Sequence, residues 1–436
     1  MLLVYTPEIK PRLKYIFDLI LNEILGISYK LTVDQEHFID FIGPKFNYSQ
    51  EQIAKELFVY ADGLLLEKGI HPKKIEKQNY LEQTVIFANN LDHSLMPFDL
   101  FSASFYLVSR YEEYLEFEPD LHGRFPAKAS IAYQSGFLQK PVVNIWAKHL
   151  FDLLQKEYPR LESKPEYGYS FAPSYDIDIA FSYISKGIMR TIGGYLRNLK
   201  QLDFTQIKDR TKVLLTNQKD PYDTFKYQQS IHEKYKVTNA NYFFLLGEYG
   251  AHDKNISTDR RRYQNLMQSL NDQYDVGIHP SYKSNLDDAI VEKELNLLST
   301  IVKKEIIRSR QHYLKLHLPH TYQTLVDLEI TKDYSMGFPD ALGFRAGIAS
   351  SFNFYLLSRE IRIPLRVYPF CIMDVTMRDY KKLSIEKSIQ QIKEIVEEVK
   401  KVDGLLSTVW HNHSLSEIDG WDGWRAVYEA LFEYAT

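Results

Sequence analysis

At 436 residues the chain is longer than one ordinary core accommodates, so two domains, or one barrel with an appendage, are expected. Hydrophobic residues make up 44% and charged residues 25%, which excludes a disordered chain. The net charge of −4 gives no electrostatic argument for nucleic acid or an anionic membrane as partner. Aromatic content is high at 14%, with 32 Tyr. Tyr joins an apolar ring to a polar tip and suits sugar-binding clefts, although most of these rings are expected to serve packing. A single cysteine, Cys371, rules out an internal disulfide and fits a reducing compartment. Residues 1–8 lack a basic region followed by an apolar one, so no secretory signal is read there. No stretch approaches the ~18 apolar residues that span a bilayer. A cytoplasmic protein with no membrane span is expected.

In chain order, residues 9–25 have helical apolar spacing, 98–116 read as an amphipathic helix, 120–141 as loop and 142–157 as a further helix. Residues 162–166 are polar and contain Pro165, a boundary between units 1–165 and 166–436. The first unit mixes helix-like and strand-like patterns and is expected to be a smaller α+β domain. Beyond it, short apolar runs alternate with helical segments. Strands are expected at 168–176, 241–247, 275–279, 306–313, 330–335, 363–370 and 405–410. Helices are expected at 222–236, 259–270, 287–304, 321–328, 384–402 and 421–434. About seven βα units in some 270 residues predict an α/β fold, a distorted (β/α) barrel.

Polar residues stand where these strands end, and the loops there form a barrel's mouth. In Ser174-Tyr175-Asp176-Ile177-Asp178, one carboxylate can bind a metal while the other stays free as a base. The bland alternative is an Asp capping the next helix. His279, followed at once by Pro280, is held in a tight turn and can ligate a metal or simply hydrogen-bond. Arg310 can grip a carboxylate, and His312 can be a further ligand. His411 follows the last strand and is placed to donate a proton, with His413 as its competitor.

The order of these groups resembles that of the polysaccharide deacetylase (NodB-homology) family, whose members remove acetyl groups from N-acetylated sugars. The resemblance covers roughly residue 168 to the C-terminus. The preceding unit looks like the accessory domain of some bacterial relatives of unknown function. The resemblance implies Asp176 as general base, Asp178 and His279 as ligands of a divalent metal, with zinc expected, Arg310 as the group orienting Asp176, and His411 as general acid. It also implies a carbohydrate as substrate and a cleft-supporting role for Asp333. Asp333, Arg345 and Tyr282 are taken as substrate-binding; small neighbours in Gly343-Phe344-Arg345-Ala346-Gly347 allow close approach and place Arg345 at the cleft mouth.

The family's second His, four residues after the first, is replaced here by Lys283, which is no ligand at neutral pH. His312 is expected to supply the third ligand from the neighbouring strand, on the same face as Arg310 by strand alternation. Lys283 is then expected to point to solvent or substrate. Two other functions are open: a degenerate barrel that binds glycan without turnover, which the missing second His favours, and a glycosyltransferase holding a metal–diphosphate through Asp176 and Asp178, which leaves His279, Arg310 and His411 unexplained.

Overall fold

The computed structural model describes every residue except 81, 167 and 217. The first unit is built on β1 (Leu2–Tyr5), β2 (Tyr29–Thr32), β3 (Lys45–Ser49) and β4 (Leu57–Tyr60), in the order β2-β1-β3-β4. Every neighbouring pair is parallel. The central strand β1 is buried along its whole length, as a strand covered on both faces must be. The helix expected at 9–25 connects β1 to β2. It starts at Pro11, where the missing N–H costs no bond, and beyond Phe17 widens into π-type turns through Ile24. An antiparallel pair, β5 (Lys77–Tyr80) and β6 (Gln83–Ile86), follows. The expected α+β unit is thus corrected to α/β: its strands are four or five residues long, too short for their pattern to reveal parallel pairing.

The helix expected at 98–116 begins at Leu100, where Asp99 accepts from the N–H groups of Phe101 and Ser102. It stops after Val108 because Arg110 takes a left-handed conformation (φ 54°). A short helix, Ile131–Gln134, interrupts the stretch expected as loop, and the helix Val142–Glu157 has the expected bounds.

The second unit holds β7 (Ser170–Ile177), β8 (Asn241–Phe244), β9 (Asp275–Ile278), β10 (Arg308–Ser309), β11 (Lys332–Asp333), β12 (Phe352–Leu356), β13 (Ile361–Val367), β14 (Ile372–Met373) and β15 (Leu405–His411). They form one sheet in the order β12-β13-β11-β10-β9-β8-β7-β15-β14. All are parallel except the edge strand β12, which is antiparallel to β13. The seven expected strands are all present, and β12 and β14 are additional. The fold is therefore mixed α/β with one large, mainly parallel sheet. Among the described residues no ladder joins β12 to β14. Between β13 and β14 the chain is tied by Phe370 N–H to the carbonyl of Met336 beyond β11 (3.1 Å) and by Cys371 N–H to that of Ser407 on β15 (3.1 Å).

One apolar core runs through both units. Tyr15 packs on Tyr355 at 4.9 Å between centroids and donates its hydroxyl to the carbonyl of Asn353. A buried charge cluster adds to the junction. Arg110 donates to Glu112 (2.9 Å), Glu113 (2.7 Å) and the carbonyl of Arg345, while Arg345 grips Glu113 with two bonds of 2.9 and 2.6 Å. Burial pushes the Glu113 carboxyl up, but Arg345 and Arg110 together bring it below the ordinary range. No helix among the described residues is long and apolar enough to cross a membrane.

Removing one partner of a buried ion pair leaves the other charge uncompensated, at a cost of about 3–5 kcal/mol. Glu113→Ala is expected to lower stability by that amount in urea unfolding. A change below about 1 kcal/mol would show that the cluster does not hold the units together.

Candidate metal centre

Strand alternation builds the floor of the site. Ser174, Asp176 and Asp178 fall on one side of β7 and its extension, and Tyr175 on the other. Tyr175 is wholly buried and bonds His232 (2.6 Å) and Tyr428 on the helix side. The register of β15 on β7 sets His411 opposite Asp176.

Arg310 crosses this floor from just beyond β10. Its guanidinium, fully buried, donates to Asp176 Oδ1 (2.8 Å), Ser174 Oγ (2.6 Å) and the carbonyl of Tyr334 (3.0 Å). It lies 4.5 Å from the ring centre of Phe243. Gly277 makes room for that ring, since a Cβ there would come within 2.6 Å of Phe243.

Asp178, His279 and His312 converge, with one possible ligand atom from each lying within 4.8 Å of the others. His279 Nδ1 is 2.5 Å from the carbonyl of Arg310, which can only accept, so Nδ1 carries the hydrogen. Its Nε2 then turns a lone pair toward Asp178 Oδ1 (3.3 Å) and Asp176 Oδ2 (3.8 Å). His312 repeats the arrangement: Nδ1 lies 2.9 Å from Asp253 Oδ1, and Nε2 faces Asp178 Oδ2 at 3.8 Å. Asp178 Oδ1 is itself buried and has no hydrogen-bond donor among the described residues. Acceptors turned on one another repel unless a cation or proton sits between them. One carboxylate and two imidazoles, each imidazole oriented by a partner on its other nitrogen, fit a divalent metal. Without a cation, His312 takes up the proton instead. Burial works against that charge, but Asp178 and Asp253 outweigh it and lift its pKa to about 9.

On the other flank, His411 Nε2 lies 3.7 Å from Asp178 Oδ2. Its Nδ1 meets Asp374 Oδ1 at 2.9 Å, and Asp374 Oδ2 accepts from the His411 N–H (2.8 Å) and from Ser414. Burial again opposes the imidazolium, and Asp374, then Asp178, raise the pKa to about 10. His413, the competitor, is buried, and burial followed by the charge of His411 pushes it down to about 4, so it is no proton donor at neutral pH.

Asp176, Asp178, His279, Arg310, His312 and His411 are thus brought together. His312 arrives by a different route from the one expected. β10 ends at Ser309, and His312 opens a short helical turn in which Tyr313 and Leu314 take left-handed conformations (φ 58° and 53°). Such backbone is costly for residues with a side chain and needs outside support. The support comes from the first unit: Arg124, fixed by Asp120, donates to the carbonyl of Tyr313 (2.6 Å), and Lys315 donates to the carbonyl of His122 (3.0 Å).

Two expectations are corrected. Arg345 does not reach the cleft mouth, because its guanidinium is committed to Glu113 and the carbonyl of Gly337 inside the junction. Asp333 is fully buried and accepts from Tyr322 and Ser335, whose hydroxyl in turn accepts from the Gln311 N–H, so it braces the loop carrying His312 and meets no substrate. Tyr282 remains accessible in a cluster of rings, stacked on His252 at 4.0 Å and edge-on to Tyr313 at 5.3 Å, with its hydroxyl 3.3 Å from His122. Lys283 is exposed, as expected. Sequence reasoning missed Asp253 and Asp374. Asp374 closes the apolar run Cys371-Ile372-Met373, the same signature that marked Asp176. Asp253 sits in a loop that carries no periodic signal.

His312→Ala is expected to weaken binding of a divalent metal at least tenfold, and Asp253→Ala by about 10–100-fold, in competition with a chromophoric chelator. Unchanged affinity in His312→Ala would remove it from the ligand set. Arg124→Ala is expected to weaken the metal less than His312→Ala does, by freeing the Tyr313 turn. Equal affinity in Arg124→Ala and the parent chain would show that the turn supports itself.

Residues 2–159 match a family model described as "Family of unknown function (DUF7033)". No curated protein matches the sequence. Among solved structures, the chain is similar to a protein assigned as a polysaccharide deacetylase from Mycobacterium smegmatis, with 12% identity and a TM-score of 0.38, over 63% of this chain and 86% of that one. It is similar to a 4-α-glucanotransferase from Thermococcus litoralis, with 10% identity and a TM-score of 0.35, over 62% of this chain and 37% of that one. It is also similar to the polysaccharide deacetylase Bc1974 from Bacillus cereus, with 12% identity and a TM-score of 0.29, over 61% and 86%. The residues of the candidate centre all lie beyond the region that the family model matches.

Proposed function

We propose that the chain is a metal-dependent hydrolase that removes acetyl groups from N-acetylated sugars or a related carbohydrate. The observation that carries this reading is the convergence of Asp178, His279 and His312 on one point, with Asp176 on one flank and His411 on the other. One carboxylate oxygen and two imidazole nitrogens suit zinc. A divalent cation held there would supply Lewis acidity toward an amide carbonyl and a water.

The remaining chemistry belongs to the chain's own groups. Arg310 holds Asp176 Oδ1, so Oδ2 is left facing the centre as the base that takes the attacking water's proton. His411, kept protonated by Asp374, gives its Nε2 proton to the departing amine as the C–N bond breaks. Water and amide become acetate and a protonated amine, and the proton gained by Asp176 offsets the one lost by His411. The rings of Tyr282, Tyr313 and His252 offer a wall against which a sugar ring can pack.

In this reading the large sheet acts as a distorted barrel, left open between its end strands β12 and β14. The unit at 166–436 is catalytic and that at 1–165 accessory. His312 supplies the donor that Lys283 cannot, so nothing favours a degenerate glycan-binding barrel. Arg310 engages Asp176, which leaves the paired-aspartate site of a glycosyltransferase incomplete.

Incubation with N-acetylglucosamine oligomers and added zinc is expected to release acetate, and none at saturating metal would sink the hydrolase. Asp176→Asn is expected to lower turnover by about 10²–10⁴-fold while metal affinity is kept. Metal lost in Asp176→Asn but kept in Asp178→Asn would reverse the two assignments.

A further inference from the structure

Between β7 and β8 the chain forms a helical hairpin, Ile188–Lys200 and Phe204–Leu215. The two helices grip each other through polar contacts: the Tyr195 hydroxyl lies 2.9 Å from Thr211 Oγ1, and Asn198 donates to Gln206 (3.2 Å). Most of their large apolar residues face outward, Val213 being the buried exception. Ile188, Ile192, Leu196 and Leu199 recur at helical spacing along one stripe and are 79%, 50%, 62% and 53% exposed. Met189 borders the stripe, and Leu202, Phe204 and Leu215 carry it across the connection onto the second helix. Of the 19 large hydrophobics exposed among the described residues, nine fall between 188 and 215, so this is a patch and not scatter.

Charge is segregated there as well. Residues 186–216 contain seven Lys and Arg against two Asp, in a chain whose net charge is −4. Arg197, Lys200, Lys208 and Lys212 are exposed. On the helical wheel Lys200 falls beside the stripe, and Lys208 and Lys212 lie to one side of Phe204 and Leu215 on the same face.

We infer that this hairpin seats in the headgroup layer of a bilayer containing anionic lipid. A bilayer satisfies both halves of the surface at once: acyl chains cover the stripe, and anionic headgroups meet the lysines and Arg197. A second copy satisfies only one, because a two-fold contact sets each patch on itself and brings like charges together. The hairpin also flanks the candidate centre. Arg190 donates to the carbonyls of Lys254 and Asn255, next to Asp253, and Gln206 donates to Asp419 near the His413 loop. Docking would therefore hold the site's mouth beside the membrane surface. The inference stands apart from the deacetylase reading.

The test is flotation of the full chain with vesicles of phosphatidylcholine alone or mixed with phosphatidylglycerol. The chain is expected to float with the anionic vesicles, to stay behind with the neutral ones, and to be released as salt is raised. Substituting Leu196→Asp and Leu199→Asp together, at exposed positions, is expected to cut the bound fraction about tenfold with an unchanged circular dichroism spectrum. Lys200→Glu with Lys208→Glu is expected to weaken binding similarly. Failure to float with anionic vesicles overturns the inference, whatever acidic protein the face then takes, and so does equal binding of the Leu196→Asp, Leu199→Asp variant. A concentration-dependent dimer that those substitutions abolish, with no vesicle binding, assigns the face to a second copy and overturns it too.

Discussion

A guanidinium cannot shed its charge, so a buried one dictates its surroundings. Arg310 is such a group, and much of the second unit is arranged to satisfy it. Its donors reach β7, through Ser174 and Asp176, and the strand-end carbonyl of Tyr334. Phe243 and Phe370 close over it from β8 and from the link between β13 and β14. The carbonyl of the same residue meets His279 Nδ1 and fixes that ring's tautomer. One residue therefore holds Asp176 with its side chain and orients the His279 imidazole with its backbone. Replacing it by lysine would keep the charge but not the fork of donors that reaches three acceptors.

The candidate centre shows how a site can be prepared for a cation by arranging its neighbours. Asp253 and the Arg310 carbonyl each claim one imidazole nitrogen, which commits the other to face Asp178. Asp374 does the same for His411 on the opposite flank. The three imidazoles thus point inward for the same electrostatic reason, and what separates them is where the inward nitrogen falls relative to Asp178.

The groups that touch the centre were legible in the sequence because each stands at the end of a short apolar run, and strand ends gather at one rim. The partners behind them were legible only in part. Asp374 follows a two-residue strand, too short to register as a period, and Asp253 lies in a loop where no period exists. His312 was picked out for the wrong reason: alternation was assumed to continue past Ser309, whereas a left-handed turn delivers the ring. Arg345 was misread because its small neighbours suggest close approach equally well in a junction and in a cleft. The helical spacing of Ile188, Ile192, Leu196 and Leu199 is present in the sequence, but the net charge, averaged over the chain, hides the basic residues around it.

The Arg110–Glu112–Glu113–Arg345 cluster also has a consequence for the order in which the chain can mature. A ribosome delivers residues 110–113 long before residue 345, which lies more than 230 positions later. Until then the second cation for Glu113 does not exist, and the nascent first unit carries an acidic pair with one arginine between them. Burying that pair early would trap an uncompensated charge, so the surface that later becomes the junction is best left hydrated during synthesis. Emergence of residue 345 then makes burial favourable and ties closure of the first unit to synthesis of the strands β7 to β11 of the second. The charge cluster in this way would act as a timer, delaying final compaction until the strands leading to Asp178, His279 and His312 have been made.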